Sequence, residues 1–191
     1  ESAHVQFNDA AALEKAVTDQ TAAVVLEVVQ GESGVNVGTP DFLKTAQKVC
    51  RERGALLIVD EIQTGFGRTG KWFAVEHWGV VPDMITMAKG LTSAYVQLGA
   101  LGMRRAIADH FAEKVFGAGL TYNSHPLACA TALATIAVYE EDGLIDRAAS
   151  TGKTLQTYHA RMKEKHPCVG AVRNIGLFGI IELVRDPKTH E

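Results

Sequence analysis

Three charged residues lie at or near the ends of three successive apolar segments of the sequence. Glu27 is close to the end of the first segment, Asp60 follows the second, and Lys89 follows the third. In an open parallel sheet, ligands bind in the crevice beyond the carboxyl ends of the strands. Because burying a lone charge is costly, residues at such positions need charged partners or a ligand. We therefore expect these three side chains to belong to one site.

Lys89 indicates a specific chemistry. A lysine amine attacks an aldehyde only in its neutral form, and a partly buried position favours that form. Joined as a Schiff base to the aldehyde cofactor pyridoxal phosphate (PLP), Lys89 would later move a proton on the substrate. Asp60 would keep the ring nitrogen of the cofactor protonated, since it ends a strand expected to lie beside the one that carries Lys89. By residue type alone, a structural ion pair is the alternative.

The same chemistry assigns contacts to residues around these two. Gln63 lies just past Asp60 and is placed to hydrogen-bond the ring oxygen of the cofactor. A phosphate group needs backbone N–H groups, hydroxyls or a helix N-terminus. Thr121 and Ser124 supply hydroxyls immediately before the helix that Pro126 is predicted to open.

Other motifs carry weaker signals. The stretch Gly65–Gly70 matches the dinucleotide-binding pattern GxGxxG, but no amphipathic helix begins where that pattern requires one, so we disfavour dinucleotide binding. Glu61 is interpreted as a structural partner without a catalytic role. Glu27 is interpreted as support for the site rather than as a reacting group. No metal site is predicted, because the histidines show no metal-ligand spacing.

The elements that must position these residues alternate between short β-branched runs and amphipathic helical stretches. This alternation is typical of an α/β domain with a mostly parallel sheet flanked by helices. Thr39 and Pro40 predict the start of one helix, and Gly54 predicts its end. Strands are predicted over residues 22–29, 55–59, 84–88, 97–103 and 177–184, and further helices over residues 9–17, 104–115, 127–140 and 146–165.

Composition argues against several classes of protein. The chain has 191 residues, 47% hydrophobic and 21% charged, with a net charge of −3, so it gives no reason to expect nucleic acid or an anionic membrane as a partner. No apolar run is long enough to span a bilayer, and the start has no signal-peptide pattern. The three irregularly spaced cysteines predict reduced thiols and a cytoplasmic location. Because the sequence lacks an initiating Met and stops just after an apolar run, we expect a fragment of a longer protein.

Three segments make the sequence resemble the class III aminotransferases. They are Asp60–Gly70 (DEIQTGFGRTG), Pro82–Gly90 (PDMITMAKG) and Thr121–Pro126 (TYNSHP). The first two are highly specific in order and spacing, and the resemblance covers essentially the whole chain. The family includes ornithine, acetylornithine, 4-aminobutyrate and ω-amine:pyruvate aminotransferases. The resemblance implies a fold-type-I, PLP-dependent enzyme that acts as a homodimer with its active site at the subunit interface.

The resemblance also implies roles for individual residues. Lys89 matches the Schiff-base lysine, and Asp60 matches the carboxylate partner of the pyridine nitrogen. Gln63 matches the glutamine that contacts the ring hydroxyl of the cofactor. Thr121 matches the threonine that reaches across the dimer to the cofactor phosphate of the other subunit.

The substrate branch stays open. Glu27 and Glu32 match the glutamates of the family's Glu-Pro-x-x-Gly-Glu segment, with Val28 in place of the usual proline. In the ornithine and 4-aminobutyrate enzymes the second glutamate pairs with a later arginine that gates substrate carboxylates, which makes Glu32 the predicted substrate gate. The pair His125-Pro126 instead resembles the ω-amine:pyruvate branch.

The predicted function is transfer of an amino group from an amine or ω-amino acid to a 2-oxo acid (pyruvate or 2-oxoglutarate) by a ping-pong route. An aminomutase or a decarboxylase of the same family is an alternative, because the cofactor core is shared. The family's phosphate-binding turn, ring-stacking aromatic and substrate arginine lie outside this sequence, so a catalytically silent fragment is another alternative. Residues 1–148 are predicted to belong to the large PLP-binding domain, and residues 149–191 to begin a small α+β C-terminal domain.

Overall fold

A computed structural model describes residues 2–186 and 189 of the chain. The strands are β1 (Ala23–Glu27), β2 (Val29–Gln30), β3 (Asn36–Val37), β4 (Leu56–Asp60), β5 (Met84–Met87), β6 (Ala100–Met103), β7 (Val169–Ile175) and β8 (Phe178–Leu183). The α-helices are α1 (Ala10–Ala16), α2 (Pro40–Arg53), α3 (Arg105–His110), α4 (Pro126–Glu141) and α5 (Leu144–Lys165), and short 3-10 turns span Ala74–Trp78 and Lys89–Thr92. No helix in this part of the chain is both long enough and apolar enough to cross a membrane.

The central sheet has the strand order β1-β4-β5-β6. The first three strands run parallel, and β6 pairs antiparallel with β5 at the edge. This arrangement confirms the prediction of an α/β fold with a mostly parallel sheet. The direction of β6 does not follow from the sequence, because an apolar run is the same for a parallel and an antiparallel strand.

Helix α2 shows how local sequence sets an element. The Thr39 hydroxyl accepts the N–H of Phe42 at 3.3 Å, and Pro40 stands at the first helical position, where no N–H partner is needed. Gly54 ends the helix with φ = 72°, a left-handed conformation that glycine adopts without strain. Both boundaries agree with the sequence prediction.

The main core lies between the parallel strands and helices α1 and α2. Burial of this apolar surface is the principal favourable term that fixes the sheet against the helices. Its largest buried members are Leu13, Val17, Val28, Val29, Val35, Phe42, Leu43, Val49, Leu57, Val59, Val75 and Val80.

Some elements differ from the predictions. The helix expected over residues 104–115 ends at His110, because α3 buries none of its side chains and no packed apolar face supports further turns. The sequence does not predict β7, since Arg173 and Asn174 interrupt its apolar pattern; it becomes a strand by antiparallel pairing with β8. The predicted domain division after residue 148 falls inside the continuous helix α5. That division stays a prediction, and residues 187, 188, 190 and 191 of its second part lie outside the described residues.

The β7–β8 turn packs against α5 and the glycine-rich loop with almost no space between the backbones. A Cβ atom on Gly152 of α5 would lie 2.6 Å from backbone atoms of Gly176 in this turn. The next residue, Leu177, donates its N–H to the carbonyl of Arg68 at 3.0 Å. Asn174 donates its amide to the Gly152 carbonyl at 3.2 Å. The turn can therefore reach the glycine-rich loop only if position 152 has no side chain.

We expect Gly152→Ala to destabilise the protein by about 1–3 kcal/mol, because the added methyl overpacks a backbone contact. The effect opposes the gain of about 1 kcal/mol that Ala normally brings to a helix. Thr154→Ala, at an exposed position of the same helix, is the control and should change stability by no more than about 0.5 kcal/mol. Urea unfolding of both variants measures the difference. Equal stabilities of the two variants would contradict the close packing.

Candidate functional site

The carboxyl ends of the parallel strands bring several predicted residues to one edge of the sheet. Glu27 pairs with Asp60 across β1 and β4, and Asp60 pairs with Thr86 across β4 and β5. Residues paired in this way project from the same face of a sheet. Lys89 comes just after β5 and begins a 3-10 turn. The expectation that Asp60 and Lys89 lie at the ends of neighbouring strands is confirmed.

Lys89 lies in the wall of a cavity of about 590 Å³. Its backbone has φ = 45°, in the left-handed region that residues other than glycine seldom adopt. Within residues 2–186 and 189, its amine has no hydrogen bond or ion pair. The side chain is exposed, which corrects the expectation of a partly buried position. It is exposed because it also borders a second cavity, of about 460 Å³, so open space adjoins it from two directions.

Gln63 shares the wall of the larger cavity with Lys89. Its amide Nε2 donates to Oε1 of Glu32 at 2.6 Å, a short bond because the acceptor is a carboxylate. Glu32 is exposed in the turn between β2 and β3. The structure thus joins two of the predicted site residues through a contact that the sequence alone does not indicate.

Asp60 and Glu27 belong to the row at the strand ends, and neither lines the larger cavity. Oδ1 of Asp60 accepts the N–H of Ile62 at 2.8 Å, which orients the carboxylate at the end of β4. Oε2 of Glu27 accepts the N–H of Gly31 at 3.3 Å and so supports the turn that precedes Glu32.

Thr121 is exposed and is not part of the wall of the larger cavity. Ser124, which follows it before α4, is exposed as well. The described residues therefore do not bring these two hydroxyls to Lys89. A contact with a second subunit, as the family resemblance implies for Thr121, stays a prediction.

Glu61 is completely buried beside these residues. Its carboxylate accepts the N–H groups of Ala74 at 3.0 Å and Val75 at 2.8 Å, and also the hydroxyl of Thr64. Burial raises the pKa of Glu61, while these three hydrogen bonds act in the opposite direction. The carboxylate closes the glycine-rich loop onto the 3-10 turn Ala74–Trp78, which agrees with the interpretation of Glu61 as a structural partner.

No pattern in the sequence predicts the aromatic part of the cavity wall, which consists of Phe66, Tyr139 and Phe178. Phe66 belongs to the glycine-rich loop, whose glycines pack closely on α5: a Cβ on Gly67 would lie 2.6 Å from Ile145, and one on Gly70 would lie 2.9 Å from Ala149. Only this glycine spacing signals the loop in the sequence. Tyr139 and Phe178 come from distant segments that no local pattern connects to it.

Comparison with known sequences gives a consistent result. A sequence model of the family described as "Aminotransferase class-III" matches residues 1–191. An acetylornithine aminotransferase from Archaeoglobus fulgidus is 45% identical over 159 residues, which cover 83% of this chain and 41% of that protein. A probable 4-aminobutyrate aminotransferase from Bacillus subtilis is 40% identical over 173 residues, which cover 91% of this chain and 39% of that protein. The chain therefore spans less than half the length of these relatives.

Solved structures show the same relationship. An (S)-enantioselective omega-transaminase from Thermomicrobium roseum superposes with a TM-score of 0.83 at 43% identity, covering 88% of this chain and 38% of that one. A taurine:2-oxoglutarate aminotransferase from Bifidobacterium kashiwanohense, solved in complex with PLP and glutamate, superposes with a TM-score of 0.85 at 38% identity, with the same shares of 88% and 38%.

For Glu61, we expect the unfolding free energy of the unmodified protein, relative to that of Glu61→Gln, to decrease as pH rises from below 4.5 to neutral. The folded state raises the pKa of this carboxyl above its ordinary value of 4.5, so it binds the proton more tightly than the unfolded state does. Ionisation above that pH therefore costs stability. The variant cannot ionise at this position, so urea unfolding of both proteins across this pH range isolates the effect. If the unfolding free energy of the unmodified protein instead rises with pH relative to that of Glu61→Gln, this expectation is contradicted.

Proposed function

Because the chain belongs to the class-III aminotransferase family, we propose that it carries the cofactor-holding core of a PLP-dependent aminotransferase. The observation that carries this proposal is the position of Lys89. Its amine, without a partner among the described residues, lies in a cavity wall directly after the strand that pairs with the one ending at Asp60. We name Lys89 as the covalent attachment point of the cofactor.

The residues present fit this cofactor. Lys89 supplies a primary amine for its aldehyde, and Asp60 supplies a carboxylate for its ring nitrogen. The buried hydroxyl of Thr86, which has no hydrogen-bond partner among the described residues, shares a face of the sheet with Asp60 and offers a further polar contact. When bound, PLP withdraws electrons from the carbon that carries the substrate's amino group.

Two residues have direct roles in the proposed mechanism. The Nζ atom of Lys89 would hold the cofactor covalently and, when substrate takes its place, would move a proton from the substrate carbon to the cofactor. The carboxylate of Asp60, oriented by the N–H of Ile62, would hold the ring nitrogen of the cofactor in its protonated form.

The remaining residues bind and orient. Gln63 has one N–H directed to Glu32, and its second N–H is available for the ring oxygen of the cofactor. Glu32 is the proposed substrate gate, and Glu27 supports the turn before it through the N–H of Gly31. Thr121 is proposed to contact the cofactor phosphate of a second subunit.

We propose an amine or ω-amino acid as the amino donor and a 2-oxo acid, pyruvate or 2-oxoglutarate, as the acceptor. The names of similar proteins support this substrate class, since they include acetylornithine aminotransferase and taurine:2-oxoglutarate aminotransferase. The same similar proteins make transamination the preferred function over an aminomutase or a decarboxylase.

We propose that the protein forms a homodimer through the apolar surface around Thr121. Large apolar side chains in this region are exposed, with Val115 94%, Leu120 78% and Tyr122 79% accessible. Where such side chains form a contiguous patch, the patch marks an interaction site. A second copy of the chain is the proposed partner, because the proposed role of Thr121 requires another subunit at this surface.

We propose a cytoplasmic location because the three cysteines are all free thiols. Burial raises the pKa of the Cys50 thiol to about 11, with a further contribution from Asp83. Such a thiol stays protonated and unreactive at neutral pH, as expected of a residue that serves packing.

Reduction with borohydride after incubation with PLP should place the label on Lys89, because among the described residues it is the lysine in the wall of the 590 Å³ cavity. Peptide mass spectrometry identifies the labelled lysine, and Lys89→Ala should lose the label. In the same variant, the rate of transamination should fall by about 10²- to 10⁴-fold, the usual contribution of a positioned acid–base group. The measurement is made both on the protein that carries this chain at its natural length and on the 191-residue chain alone.

The internal controls are Lys44 and Lys163, which are exposed on α2 and α5. Label spread evenly over Lys44, Lys163 and Lys89 would contradict the proposed function for the protein tested. Label on Lys89 in the natural-length protein but not in the 191-residue chain would show that the chain alone is a silent fragment.

Leu120→Asp is expected to shift the protein from dimer to monomer, because it places a charge in the proposed apolar interface. The exposed position leaves the fold of each subunit intact. Sedimentation velocity measures the change, with Thr154→Asp on α5 as the control that should stay dimeric. A monomeric unmodified protein, or equal dimerisation of both variants, would refute the interface.

A further inference from the structure

Tyr139 of α4 connects through its hydroxyl to the 3-10 turn that begins at Lys89. This turn comprises residues 89–94, which are the 3-10 residues Lys89–Thr92 and the two residues after them. This hydroxyl donates to the carbonyl of Gly90 at 2.8 Å. It also lies 3.0 Å from the hydroxyl of Ser93. Since the single proton of Tyr139 is given to Gly90, the Ser93 hydroxyl is the donor in the second contact. The result is a chain of hydrogen bonds that begins and ends in the same turn.

The turn needs such support because its backbone is strained. Lys89, Ser93 and Ala94 have φ angles of 45°, 48° and 62°, all in the left-handed region. Each conformation of this kind costs about 1–3 kcal/mol in a residue other than glycine and persists only where the surroundings enforce it. Backbone bonds within the turn, such as that from Ser93 N–H to the Gly90 carbonyl at 3.2 Å, are local. The bond from Tyr139 connects the turn to a helix.

The ring of Tyr139 is itself fixed by aromatic neighbours. It stacks on Phe66 with ring centroids 6.3 Å apart and meets Trp72 edge-on at 6.0 Å. Phe66 is in turn packed edge-on against Phe73 at 5.4 Å. Aromatic pairs at these separations are mutually attractive, so they restrict where the Tyr139 hydroxyl can lie. The hydroxyl is therefore presented to Gly90 by a packed cluster.

The Gly90 carbonyl is separated from Lys89 by a single peptide unit. Fixing the direction of this carbonyl therefore also constrains the backbone at Lys89. Gly90 also accepts no side chain, because a Cβ there would lie 2.9 Å from the Cβ of Phe66. Both Tyr139 and Lys89 line the larger cavity. We infer that Tyr139 is a positioning residue, which acts through the Gly90 carbonyl to set the direction of the Lys89 amine into the cavity.

This inference rests on the proposed function, in which Lys89 anchors the cofactor. It adds a residue that touches neither the cofactor nor the reacting atoms in the proposed mechanism. The expected signature is a lower rate of attachment at Lys89 and a lower kcat, with KM unchanged, because the amine is misdirected while substrate binding is not.

Tyr139→Phe in the natural-length protein removes the hydroxyl and keeps the ring. Without cofactor, hydrogen exchange in peptides covering residues 89–95 should accelerate by roughly 2- to 10-fold, the loss expected from one hydrogen bond. With PLP, borohydride-trapped attachment at Lys89 should slow by roughly the same factor, while attachment at Lys44 should not change. Tyr158→Phe is the matched control, since Tyr158 is exposed on α5.

Ser93→Ala provides a second variant that keeps the aromatic cluster intact. Because Ser93 and Tyr139 act through one chain of hydrogen bonds, the effects of the two substitutions should be less than additive in the double variant. Fully additive effects, or exchange and attachment rates of Tyr139→Phe equal to those of Tyr158→Phe, would overturn the inference while leaving Lys89 as the anchor. Absence of label on Lys89 in the unmodified protein would overturn the proposed function and the inference together.

Discussion

The parallel pairing of β4 with β1 and with β5 determines where the proposed functional residues can lie. One register sets Glu27 opposite Asp60, and the other sets Asp60 opposite Thr86. A slip of one residue in either pairing would turn Asp60 to the opposite face of the sheet. Buried Leu57 and Val59 of β4 resist such a slip, because it would exchange their places with those of less buried neighbours. The position of the Asp60 carboxylate on the face that it shares with Thr86 is thus a consequence of core packing.

The segments above the sheet depend on two further constraints. The buried carboxylate of Glu61 binds backbone N–H groups at the start of the Ala74–Trp78 turn and so closes the glycine-rich loop. The backbone contact of Gly152 with Gly176 brings the β7–β8 turn onto that loop. The glycine-rich loop and the β7–β8 turn, held in place by these contacts, form two walls of the cavity that Lys89 borders. Neither constraint involves a reacting group, yet the shape of the proposed site depends on both.

The sequence predicted the parts that local chemistry decides. Apolar runs gave the parallel strands and their charged ends, and the fold-type-I expectation is confirmed by a TM-score of 0.83 to a solved transaminase at 43% identity. The antiparallel direction of β6 did not follow, because an apolar run is the same for either strand direction. The contact of Gln63 with Glu32 and the bond from Tyr139 to Gly90 did not follow either, because each joins segments far apart in the chain. The sequence also did not predict that Lys89 is exposed, because its exposure depends on the two cavities beside it rather than on its neighbours in the sequence.

A crystal structure of the natural-length protein grown with PLP would test the central claim most directly. We predict continuous electron density from Nζ of Lys89 to the cofactor, with the carboxylate of Asp60 at the ring nitrogen. Cofactor density that is joined to another lysine, or that lies away from the ends of β4 and β5, would contradict the assignment of Lys89 as the anchor.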